Sequence, residues 1–345
     1  MSLFSISYRA ATLGFTLVMG CLLCSCAQPR TRIEPANLVW PKPPDHPRIQ
    51  YVQSIYTEDD IGRRYSFFER IFGKPYFDGM VRPYGVSVRQ NVLLICDIVS
   101  RRVMVLDLVE KRLMIITGND GSFRLPAAAV MEGKGRIYVA DSSGAKVVVF
   151  DRQGGYVTNF SLSGGVPVGL AINEGLGRLY VADRAKHRIM VFDLDGRFLF
   201  EFGGRGNADG RLNIPLDVTV DHTGKVYVLD SGNFRVQVFT ADGKYLSRFG
   251  EVGDRPGMFA NPKGVAVDSE GHIYVTDAAF SNYQIFDSTG KVLLFIGEAG
   301  PWPGFLNMPA GIAIDENDQI YIADQLNSRV QVFRYMKDKG QSAAP

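Results

Sequence analysis

The chain is poor in the residues that carry chemistry by themselves. Its 345 residues include four cysteines, four histidines and two tryptophans. Cys21, Cys24 and Cys26 crowd the N-terminus, so Cys96 has no partner for an internal disulfide in the rest of the chain. Cys96 is expected to be a buried small hydrophobe in the strand Leu93-Leu-Ile-Cys-Asp97. The histidines, His46, His187, His222 and His272, show no metal-ligand spacing, so no metal site is expected from them. No Cys-x-x-Cys-His, Gly-x-Ser-x-Gly, Walker or dinucleotide fingerprint stands in its required context. Charge is nearly balanced at +2, which argues against a whole-chain nucleic-acid binder or an acidic scaffold. Beyond the N-terminus no uninterrupted apolar period of the helical kind occurs.

A repeat fills that space. Marker prolines Pro83, Pro126, Pro167, Pro215, Pro262 and Pro309 are spaced 43, 41, 48, 47 and 47 residues apart. Strand-end aspartates Asp97, Asp141, Asp183, Asp230, Asp277 and Asp324 keep the same register, at 44, 42, 47, 47 and 47. Each unit reads as four short β-branched and aromatic strands punctuated by Asp-Gly and similar turns. Four-stranded units of this length stack radially, so the fold expected is an all-β, six-bladed propeller. The sixth copy stops after its third strand, at Phe333. The stretch Arg48-Ile-Gln-Tyr-Val-Gln-Ser-Ile55 is expected to complete that blade and close the ring, removing two open sheet edges.

The copies, best seen in Pro262-Lys-Gly-Val-Ala-Val-Asp268 and Ile273-Tyr-Val-Thr-Asp277, resemble NHL repeats over roughly residues 80–335. The start of the chain adds a resemblance to bacterial NHL-repeat lipoproteins. The first copies depart from the pattern: Ala128 and Asp217 replace the glycine of Pro-x-Gly. The family includes zinc-dependent peptide-amidating lyases, but three channel histidines cannot be placed here. It also includes RNA- and protein-binding tripartite-motif proteins, whose cysteine clusters this chain lacks.

Residues 1–25 resemble a lipoprotein signal peptide, and Leu23-Cys-Ser-Cys26 resembles a lipobox. Cleavage before Cys26 would free its thiol for a diacylglycerol and its amine for a further chain, enough for stable anchoring. Ala27, rather than Asp, after that cysteine points to the outer membrane, facing the periplasm. The organisation expected is a Pro-rich tether over 26–47, a closing strand and lead-in over 48–80, the propeller over 81–337 and a flexible tail over 338–345.

Five of the six strand-end aspartates are followed after five residues by a base: Arg102, Lys146, Arg188, Arg235 and Arg329, with Asn282 in blade five. They are read as structural carboxylates that accept hydrogen bonds at each turn, not as a metal ring. Placing the strands separates charge. One face gathers Arg101, Arg102, Arg184, Lys186, His187, Arg205, Arg211, Arg255 and Lys263, with Trp302 as an aromatic anchor. Asp195, Asp221, Asp242, Glu270 and Glu316 mark the other. Asp217 is the candidate channel residue, able to meet a cation or a substrate hydroxyl. The reading is a lipid-anchored, monomeric scaffolding or binding module for a protein or anionic cell-envelope glycan, not for nucleic acid. The alternative is a hydrolase or lyase with a divalent cation in the channel.

Overall fold

The computed structural model describes residues 38–63, 71, 79–118 and 123–337. The expected signal peptide, the lipidation site Cys26, most of the lead-in between 64 and 78 and the tail after 337 lie outside the described residues.

Six antiparallel sheets form the ring. Their inner strands are Pro83–Arg89, Pro126–Met131, Pro167–Asn173, Pro215–Val220, Pro262–Val267 and Pro309–Ile314. Each inner strand neighbours those of the blades before and after it, and the strand of blade six neighbours that of blade one. Second and third strands are buried on both faces, which explains their unbroken apolar runs, as in Ile137–Asp141 and Lys146–Phe150. Outer strands alternate exposure, as in Val292–Ile296, because only one face meets a neighbour.

Six apolar clusters, one between each pair of adjacent blades, make up the core. Cys96 lies in the first of them, and burial raises its thiol pKa so that it stays a thiol. Tyr321, Val330 and Val332 of blade six meet Leu93, Ile95 and Met104 of blade one in the cluster that closes the ring. Burying each such side chain is worth about 1.5–3 kcal/mol, so a ring with no open interface keeps the largest core.

Closure is by strand exchange. Ile49–Ile55 pairs antiparallel with the third strand of blade six, Arg329–Tyr335, matching Tyr51 with Phe333. Val39–Trp40 then pairs with Ile49 and Gln50 and adds a fifth strand. Within the stretch expected to act as a tether, Val39–Trp40 is thus a strand of blade six. Trp40 packs edge-on against Phe333 at 5.9 Å, and burying this ring together with Leu38 holds residues 38–40 on the blade.

The strand-end aspartates are fully buried or nearly so and hold the turns together. Asp324 accepts from the Asn307 backbone N–H at 2.7 Å, Arg329 Nε at 2.7 Å and Gln331 Nε2 at 3.0 Å. Asp230 does the same with Asn213, Arg235 and Gln237. Arg188 and Arg102 also pair with their aspartates, at 3.2 and 4.0 Å. Blade two departs from the expected pairing. Lys146 is in register with Asp141 but forms no ion pair with a described residue, and Asp141 accepts instead from the Arg124 and Leu125 N–H groups. A lysine lacks the fork that lets arginine reach the carboxylate and the connector carbonyls together.

Candidate functional site at the channel mouth

The inner strands enclose a channel of about 220 Å³. Its chemistry changes along its length because the repeat is in register. The sixth residue of each inner strand is Val88, Met131, Ile172, Val220, Val267 or Ile314, so hydrocarbon lines much of the far end, with Arg89 of blade one as the charged side chain there. The third residue is glycine or alanine in five blades. A Cβ on Gly264 would stand 2.8 Å from the Ala310 carbonyl oxygen of the next blade, so close strand approach requires glycine there.

Blade four breaks this rule with Asp217. Its Oδ1 accepts the Val218 N–H at 2.9 Å and its Oδ2 the Val265 N–H of blade five at 3.0 Å. Burial pushes its pKa up to about 7 against the pull of those two donors. Among the described residues Asp217 is the one acidic side chain lining the channel.

The second residue of Pro-x-Gly is polar in two blades, Tyr84 and Lys263, and both line the channel. Blade one stands across the ring from blade four, so Tyr84 faces the Asp217 side. Burial raises the Tyr84 pKa, the Asp217 charge adds to that, and Arg184 opposes it. Burial lowers the Lys263 pKa, Asp277 opposes that, and Arg184 adds to it. Arg184 holds the position after the strand-end aspartate. Blades two and four place serines there, Ser142 and Ser231, whose hydroxyls donate to the Pro167 and Pro262 carbonyls of the next blade. Arg184 is exposed instead, with its charge felt at the mouth.

Around this mouth lie the basic residues expected from the sequence. Arg101, Arg184, Lys186, Arg205 and Arg211 are exposed on second-to-third strand loops and blade connectors. Lys186 Nζ donates to the Ser163 carbonyl at 2.7 Å, and Arg211 Nη1 to the Gly203 carbonyl at 3.1 Å. Arg102 is less available, being drawn into the Asp97 turn with a 2.6 Å bond to the Gly79 carbonyl. His187 accepts the Ile214 N–H on Nδ1 at 2.9 Å, which occupies one ring nitrogen. Trp302 is 56% exposed on the connector before blade six.

Arg82 and Arg124 extend the basic set at the starts of blades one and two, and both are exposed. Neither these two arginines nor Tyr84 is among the site residues expected from the sequence. The signal for Tyr84 and Lys263 was present as the two polar side chains at the middle position of Pro-x-Gly.

Ion pairs hold some of the surface arginines and leave others exposed. Arg82, Arg101, Arg124, Arg184, Arg205 and Arg255 form no ion pair with a described residue. On the far face, Arg136 pairs with Asp195 and Glu132, Arg178 with Asp242, Arg89 with Glu174 and His272 with Asp268. Among the described residues no three His, Cys, Asp or Glu side chains cluster as a metal cage would require, and no helix is long and apolar enough to cross a membrane.

The NHL repeat model matches residues 165–192, 212–239, 259–286 and 306–333, one match in each of blades three to six. No curated protein matches the chain in sequence. Solved propellers do match in structure. A structural-genomics protein of unknown function from Bacteroides thetaiotaomicron is 17% identical, with 75% of this chain and 71% of that one covered at a TM-score of 0.60. An auxiliary nutrient binding protein from Bacteroides ovatus is 16% identical, with 76% and 72% covered at 0.58. A gluconolactonase from Xanthomonas campestris is 16% identical, with 75% and 88% covered at 0.57. The chain thus carries NHL repeats in blades three to six of a six-bladed propeller closed by strand exchange.

Proposed function

We propose that the protein is a lipid-anchored, exported module that binds an anionic protein or cell-envelope glycan on its channel-mouth face. Similar propellers include a nutrient binding protein and a gluconolactonase, so the fold does not choose between binding and catalysis. The observation that carries the reading is the set of arginines around the mouth. Arg82, Arg101, Arg124, Arg184 and Arg205 are exposed and form no ion pair with a described residue, whereas Arg136, Arg178 and Arg89 on the far face are held by acids. Exposed cations raise the rate at which an oppositely charged partner arrives and favour it over others. Trp302 on the same face offers an aromatic anchor. The anchor itself rests on the lipobox-like Leu23-Cys-Ser-Cys26, with Cys26 as the acylated residue and the outer membrane as its site.

A photo-crosslinker at Arg255 in the lipidated protein tests this. A dominant adduct that disappears when Arg184, Lys186 and Arg205 are changed to Glu supports the reading. An adduct that survives the triple reversal removes the basic face from binding.

A hydrolase or lyase reading draws on one feature, a channel carboxyl titrating near neutrality. Metal analysis and turnover assays on the purified propeller address it.

A further inference from the structure

The mouth of the channel carries polar groups that the protein itself leaves unused. The Tyr84 hydroxyl, the Lys263 ammonium and the Arg184 guanidinium have no side-chain hydrogen bond or ion pair with a described residue. They come from blades one, five and three, and Asp217 joins them from blade four. A half-buried ammonium with no acceptor is costly unless something else supplies one. Strand packing does not require it, since alanine, valine or leucine fills the same position in blades two, three, four and six. Polar groups that converge at the mouth of a cavity are the usual form of a small-molecule site.

We propose that the channel mouth is a binding pocket for a small hydroxylated carboxylate the size of a sugar acid. Lys263 and Arg184 hold the carboxylate, while Tyr84 and Asp217 meet its hydroxyls. Size follows from the channel volume of about 220 Å³, which is below the ~300 Å³ at which drug-sized pockets begin. Charge follows from two cations set against one acid. A neutral sugar would leave the cations unpaired, and a phosphate dianion would meet the Asp217 carboxylate as well as the cations. Hydroxyls are needed because Tyr84 can donate and Asp217 keeps a free lone pair on each oxygen. Toward the far end the charged lining residue, Arg89, is already paired with Glu174. This pocket does not depend on the broad face binding a macromolecule, since a solute can enter it alone.

Titration calorimetry of the intact propeller with D-glucuronate tests the proposal, with D-glucose, acetate and inorganic phosphate as comparison probes. The expected result is saturable one-to-one binding of glucuronate, weaker binding of acetate and phosphate, and no detectable binding of glucose. Loss of a charged hydrogen bond should weaken glucuronate at least about tenfold in Lys263→Met and in Arg184→Gln. Arg184 is exposed, so its variant tests the site even if Lys263→Met fails to fold. No saturable glucuronate binding, equal binding of glucose, tighter binding of phosphate or unchanged affinity in Arg184→Gln would each overturn the proposal.

Discussion

The Asp217 carboxylate of blade four accepts the Val265 backbone N–H of blade five at 3.0 Å. An inner strand is a sheet edge, and its channel-facing N–H groups have no ladder partner. Asp217 supplies one across the blade boundary. Its other oxygen holds its own strand at Val218, so a residue that breaks the repeat also joins two blades.

That position has a pH signature. Burial holds the Asp217 pKa near 7, well above its ordinary value of 3.8. Between those values the folded protein binds more protons than the unfolded chain, so stability falls as pH rises through the window. Asp217→Asn carries no such proton. Melting temperatures at about pH 5 and about pH 8 should diverge, with wild type losing ground to the variant at the higher pH. Parallel profiles would mean that the carboxyl titrates as it does in water.

The blade turns predict a contrast between two bases. Arg329 is 1% exposed and serves Asp324 and the Trp302 and Phe305 carbonyls together. Arg329→Met strands a buried carboxylate and should cost about 3–5 kcal/mol in urea unfolding. Lys146→Met, at the same position in blade two, breaks no ion pair among the described residues and should cost within about 0.5 kcal/mol. Equal costs would contradict the pairing described.

The clasp predicts cooperativity across the whole ring. Ile49 is fully buried where the exchanged strand meets blade six. Ile49→Ala should destabilise the propeller by about 2–5 kcal/mol in one transition. Removing residues 38–55 should expose the Arg329–Tyr335 edge and yield oligomers on size-exclusion chromatography. A monomeric truncation would show that the strand decorates the ring without closing it.

His272 sits beside the clasp, with Nδ1 2.9 Å from Asp268 Oδ2 and its ring 5.4 Å from that of Tyr335. The Asp268 hydrogen bond raises its pKa above 6.5 against burial, with Asp268 and Glu270 charges assisting. Its stabilising contribution is full below that value and fades as pH rises through the raised pKa. His272→Gln should therefore destabilise the protein more at about pH 5.5 than at about pH 9. A loss independent of pH would assign the residue to packing alone.

Blade number, strand order and the closing strand were legible because Pro83 to Pro309 and Asp97 to Asp324 repeat in register. Repetition reports what every blade needs. The mouth depends on what single blades do differently, and Asp217 was visible as a broken Pro-x-Gly. That Tyr84 faces it from the opposite blade, with Lys263 beside it, required the ring to be closed in space. The docking of residues 38–40 was hidden for another reason. A Pro-rich stretch reads as an extended tether, and only the Trp40 contact with Phe333 reveals the docking. The absent Lys146–Asp141 pair shows that a matching offset sets register but not side-chain reach.

The central claim is that the mouth face meets the partner. Lysine acetylation in native envelope preparations, set against the purified protein, tests it most directly. Lys186 and Lys263 lie on the mouth face, while Lys134, Lys225, Lys244 and Lys291 lie on the turns of the far face. The account predicts lower reactivity of Lys186 and Lys263 in the envelope and unchanged reactivity of the other four. Protection confined to the far-face lysines, or no protection anywhere, would contradict it.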